Sequence, residues 1–190
     1  MRAAVSTPSI TSTDHRIAWM AALAVALSMA ESLFPSPIPG VKPGLANIIV
    51  LLVLHQDGLR AAVWVSGLRV IAGSLFFGSF LTPTFFLSLS GASCSLLMLT
   101  LTWRLPRAWF GPITHSLLSS LAHVAGQLFV VYLWLIPHRG IMYLVPILAV
   151  AAVVFGLVNG LIAARLLQAP SPAPAPRAEL AGIPATSRTG

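Results

Sequence analysis

The stretch ESLFPSPIPGVKPGLAN, residues 31–47, decides how the rest of the chain is read. It leaves one apolar run at Glu31, passes through Pro35, Pro37, Pro39 and Pro43, and enters a second apolar run after Gly44. Proline fixes φ at about −65° and removes a backbone donor, so four prolines within nine residues forbid a continuous helix and predict a stiff, extended connection. Charged residues make up only 8 % of the chain, yet Glu31, Lys42 and the polar Asn47 all fall in this short stretch. It reads as one wall of a ligand site at a membrane surface.

On both sides of it the sequence is apolar. The 190 residues are 57 % hydrophobic with a mean hydropathy of +0.90, whereas a soluble domain carries about 25 % charged residues. Runs of about 20 apolar residues suffice to cross the hydrocarbon core. The expectation is an all-α integral membrane protein, a bundle of six transmembrane helices filling residues 17–168. A polar lead (1–16) and a Pro/Ala-rich tail (169–190), both without periodic pattern, read as disordered and cytoplasmic. The predicted spans are 17–34, 43–56, 59–81, 84–103, 113–136 and 141–167. The second is short, rising about 21 Å, and short segments interrupted by Gly and Pro mark binding sites in transporters. Asp57-Gly58, Thr82-Pro83 and Pro137-His138-Arg139-Gly140 supply turns.

With six spans both termini share a side. That side holds Arg2, Arg16, Arg60, Arg104, Arg107, Arg165, Arg177 and Arg188, against Lys42 and Arg139 on the other. The bias places the termini in the cytoplasm of a bacterial inner membrane and the proline-rich stretch outside. Basic residues scattered between apolar runs act as orientation signals, not as a patch tracking phosphates, so nucleic acid is not an expected partner. Ser28-Met29-Ala30 has the small-x-small form of a signal-peptide site. Ala18, Ala22, Ala26 and Ala30 nevertheless recur every four residues, a strip that lets another helix approach closely and has no use in a discarded peptide.

Ionisable residues at lipid depth are the candidates for chemistry. Arg69 lies near the centre of its span, where insertion costs about 2.5–3.5 kcal/mol. It suits two roles, a clamp on backbone carbonyls of a neighbouring helix or a cation for an anionic ligand group or for Glu31. His123 and Gln127 are four residues apart and share a helix face, at a depth matching Arg69; Ser116 and Ser120 border that face. His15, His55, His115 and His138 lie at span ends, as do most of the tryptophans, where interface residence accounts for them. Cys94 is the only cysteine, so neither an internal disulfide nor a cysteine metal cluster is available, and no metal or cofactor is expected. The chain has no nucleotide-binding motif, no aspartate-rich pair and no Ser-His-Asp set.

Three blocks carry a resemblance. Pro-Gly-x-Lys-x-Gly-Leu-Ala-Asn at Pro39–Asn47, Arg-Val-x-x-Gly-Ser-Leu at Arg69–Leu75 and Ala-His-x-x-Gly-Gln-Leu at Ala122–Leu128 resemble the Gx transporter family, also called heptaprenyl diphosphate synthase component I. The similarity spans roughly Ala18 to Leu166. The family in turn looks like the S components of energy-coupling-factor transporters, six-helix proteins that capture a vitamin-like solute from outside. Glu31, Lys42, Asn47, Arg69, His123 and Gln127 are expected to line an outward-facing cavity for a small anionic or zwitterionic solute. The resemblance implies docking of a coupling subunit on Ala18, Ala22 and Ala26, with ATP hydrolysis supplied by that partner. At Val124 the chain departs from the asparagine common in the family, so no ligand contact is carried over there. The alternative family name implies a non-catalytic membrane subunit supporting isoprenoid, quinone or redox-cofactor synthesis.

Overall fold

A computed structural model describes residues 11–31, 46–105, 110–136 and 138–169, without the side chains of Glu31 and Arg139. Lys42 and the proline-rich connection lie outside the described residues. What is described is helical throughout: α1 (Ser12–Glu31), α2 (Asn47–Asp57), α3 (Leu59–Phe76), α4 (Pro83–Trp103), α5 (Pro112–Val130) and α6 (Val145–Gln168). A π-helical turn, Val131–Leu135, extends α5, and a 3-10 turn, Arg139–Leu144, leads into α6.

Among the described residues four helices are long and apolar enough to cross a membrane: α3, α4, α5 with its π-helical extension, and α6 with its 3-10 lead. Their outer faces carry large exposed side chains such as Leu75, Leu97, Phe129 and Leu161. Lipid solvates that apolar surface, and the protein is a multi-pass membrane protein.

Helix boundaries follow from local chemistry. α1 starts at Ser12, ahead of the expected Ile17, because Thr11 and Asp14 form a capping box. The Thr11 amide and hydroxyl donate to Asp14 Oδ2 at 2.9 and 2.7 Å, and the Asp14 amide donates to Thr11 Oγ1 at 3.3 Å. Those donations, the amide's first, hold the Asp14 carboxyl below the usual carboxylate range. α3 stops at Phe76 and not at the predicted Leu81, since Gly78 (φ 62°) and Leu81 (φ 61°) both take the left-handed conformation that ends a helix. Pro83 and Pro112 each occupy the first turn of their helices, where the missing amide costs nothing.

The shortest helix sits deepest. Asn47, Ile48 and Val50 to Leu54 of α2 are buried, so the helix is enclosed on nearly every side. Its walls are Ala21 and Ala24 of α1, Ala61, Ala62 and Val65 of α3, Leu99 of α4 and Ala163 of α6. Small residues on three of those helices let the backbones approach, and because lipid is as apolar as leucine, dispersion contacts supply the gain. A second core joins α4, α5 and α6 through Leu87, Val124, Val131, Leu148 and Ala152. Arg16 ties α1 to the end of α2, donating to Gln56 Oε1 at 2.6 Å and lying 3.4 Å from Asp57 Oδ2. Arg69 and His123 lie near the middles of α3 and α5.

Candidate functional site

Arg69, His123 and Gln127 meet at one cavity. Arg69 comes from the middle of α3, and His123 and Gln127 from successive turns of α5; they are 7 %, 5 % and 1 % exposed. The cavity lies towards the end of the bundle where α1 stops and α4 starts. Ser28 of α1, Ser74 of α3, Ser79, and Thr84 and Ser88 of α4 complete its polar lining, and Phe77 and Phe85 supply apolar wall. Its volume is about 60 Å³, room for a group of carboxylate or phosphate size.

Two of its polar atoms lack partners. Among the described residues neither His123 Nδ1 nor Gln127 Oε1 makes a hydrogen bond, and both are fully enclosed. A buried polar group left so costs about 1–3 kcal/mol, and native proteins tolerate few. The amide oxygen can only accept, so it calls for an N–H or O–H. The guanidinium of Arg69 can only donate, so whatever it holds bears oxygen or negative charge. Ser74, by contrast, satisfies itself by donating to the Ile71 carbonyl at 2.8 Å.

A glycine on α4 sets the placement of the α5 pair. A Cβ at Gly91 would stand 2.8 Å from Cε1 and Nε2 of His123 and 3.0 Å from Cγ of Gln127. With hydrogen in place of a methyl group, the imidazole edge lies flat against the α4 backbone. Sequence reasoning gave Gly91 no role.

The other expected residues are placed as follows. Asn47 opens α2, buried, with Nδ2 unpartnered among the described residues, and it does not line this cavity. Glu31 ends α1, and its side chain, like Lys42, falls outside the described residues. Ser116 and Ser120, one to two turns before His123 on α5, pack against α6, where a Cβ at Gly160 or Gly156 would meet them at 3.0 and 3.2 Å. Ala18, Ala22, Ala26 and Ala30 are exposed along α1, while Ala21 and Ala24 face the core.

A family model described as heptaprenyl diphosphate synthase component I matches residues 20–166. Neither a curated protein nor a solved structure matches the chain.

Proposed function

The chain belongs to the heptaprenyl diphosphate synthase component I family, and from that premise and the cavity geometry we propose that it is a membrane-embedded subunit that captures a small solute. The observation that carries this reading is the convergence of Arg69, His123 and Gln127 on one cavity, with His123 Nδ1 and Gln127 Oε1 enclosed and unpartnered. The solute has an anionic group for Arg69 and a hydrogen-bond donor for Gln127, which is the chemistry of a zwitterion or a hydroxylated acid. Glu31, at the end of α1, and Lys42, in the connection that follows it, extend the site in this reading, while Asn47, set apart from the cavity wall at the start of α2, takes no part in the cavity itself. The exposed strip Ala18, Ala22 and Ala26 receives a partner subunit that hydrolyses ATP. The protein lies in a bacterial inner membrane with the cavity outward and both termini cytoplasmic.

Native mass spectrometry of the detergent-solubilised protein tests capture. A small molecule is expected to travel with the wild type and to fall at least about tenfold in Arg69→Ala, given the roughly 1.5–3 kcal/mol of a hydrogen bond to a charged group. The family description favours a second reading, a non-catalytic membrane subunit supporting isoprenoid, quinone or redox-cofactor synthesis. Co-purification with a soluble prenyl synthase and no bound solute selects that reading. For orientation, a reporter fused to the C-terminus is expected to be active only in the cytoplasm; periplasmic activity reverses the topology.

A further inference from the structure

At the opposite end of the bundle lies a second cavity, of about 190 Å³, where the end of α2 meets the end of α4 and the start of α5. Its walls include His55, Trp103, Phe110, Gly111, Pro112 and His115. The His55 and His115 ring centroids are 5.4 Å apart at 73°, and His55 and Trp103 are 5.4 Å apart at 89°. His55 is anchored, its Nδ1 donating to the Leu51 carbonyl at 2.9 Å.

We propose that this cavity binds a phosphate group, carried either by a phospholipid headgroup or by a soluble phosphoester. Two independent features carry the proposal. The first is an uncapped helix start. Gly111 is the N-cap of α5 and has no side chain to cap it, and Pro112 has no amide. The helical ladder begins with the His115 amide donating to the Gly111 carbonyl at 3.0 Å, so the amides of Ile113 and Thr114 precede it. Gly111 and Pro112 line the cavity, so it lies against this helix start, where the positive end of the helix dipole favours an anion.

The second feature is His115 itself, 3 % exposed, with neither Nδ1 nor Nε2 hydrogen-bonded among the described residues. The carbonyls of Thr102 and Gly111 approach the ring without completing a bond. An imidazole in either protonation state has an N–H to donate, and a phosphate oxygen in this cavity is an acceptor for it. Arg104 adds positive charge, exposed between Trp103 and Leu105, both of which line the cavity. This site stands apart from the Arg69 cavity and does not depend on the capture reading.

The test uses the full chain in detergent, labelled with ¹⁵N-histidine. Three probes are added in parallel: phosphatidylglycerol, inorganic phosphate at constant ionic strength, and diacylglycerol with the same acyl chains. The His115 ring resonances are expected to move with a phosphate-bearing probe and to stay still with diacylglycerol. A response to the lipid alone identifies a headgroup site; a response to inorganic phosphate identifies a site for a soluble phosphoester. His115→Phe, which keeps an aromatic ring in the wall, is expected to weaken native-mass-spectrometry retention of the responding probe at least about tenfold. Gly111→Asp guards against misfolding: its Cβ has open space, and its carboxylate caps α5 while repelling phosphate. It should unfold no earlier than wild type yet lose the probe to the same extent. The proposal is overturned if neither phosphate source moves His115, if diacylglycerol moves it equally, or if Gly111→Asp retains the probe.

Discussion

Gly160→Ala is expected to destabilise the bundle by about 1–3 kcal/mol, the usual penalty for overpacking a filled interior. The added methyl group would stand 2.7 Å from the Ile113 Cα, 3.0 Å from the Ser116 Cβ and 3.3 Å from the Ile113 carbonyl oxygen. Two of those atoms are backbone, which cannot swing aside as the end of a side chain can. The whole of α6 must therefore retreat from α5. Gly156 lies one turn earlier with its own Cβ position 3.0 Å from the Leu117 Cα, so the two glycines form one seam of close approach. Reversible unfolding in mixed micelles should show the loss in Gly160→Ala and a larger one in the double variant Gly156→Ala/Gly160→Ala. Gly67→Ala serves as the control. Nothing lies within 4 Å of its Cβ position, and removing a mid-helix glycine should hold or raise stability by up to about 1 kcal/mol. If Gly160→Ala matches Gly67→Ala, the seam is not a determinant of packing.

The second large effect is expected at Gly91 and falls on binding. Alanine there would press within 2.8 Å of the His123 ring and within 3.0 Å of Gln127 Cγ, displacing both cavity residues without touching any atom of a solute. Close-packed interiors offer no slack for such a shift, and a displacement of about 1 Å is enough to spoil a hydrogen-bonding site. Retention of the captured molecule should fall at least about tenfold, comparably to Arg69→Ala, while circular dichroism still reports a helical protein. The double variant Gly91→Ala/His123→Ala separates fit from chemistry. Truncating the ring relieves the clash and should restore stability, but it should leave the molecule unbound. Recovery of binding in the double variant would remove His123 from the site.

The pairing of Arg69 with His123 was legible because charge at lipid depth is costly and must turn inward, so matched depth on two helices already implies encounter. The Asp57-Gly58 turn was legible for a comparable local reason; Gly58 adopts φ 87°, which glycine accepts at no steric cost. The packing of Ser116 and Ser120 against α6 was not legible, because helix periodicity gives a face but not the neighbour it meets. That depends on Gly156 and Gly160, about forty residues downstream. The meeting of His55 with His115 was hidden for the same reason. Each looked like an ordinary interfacial residue, and only the docking of α2 against α5 brings the two rings together. Nor did composition reveal that α2 would be central, since an 11-residue apolar segment reads equally as a short span or as a buried core helix.

That central position constrains how the chain can be made. α2 is about 16 Å long at 1.5 Å per residue, roughly half the hydrocarbon thickness, so lipid alone cannot solvate both of its ends. Part of its enclosure comes from Ala163, near the end of the last helix. As the ribosome delivers the chain, α2 enters the bilayer early and waits for α6 to seal it, with most of the chain synthesised in between. Until Ala163 is in place that part of the α2 wall is missing, and a stop codon placed before residue 163 would leave it open for good.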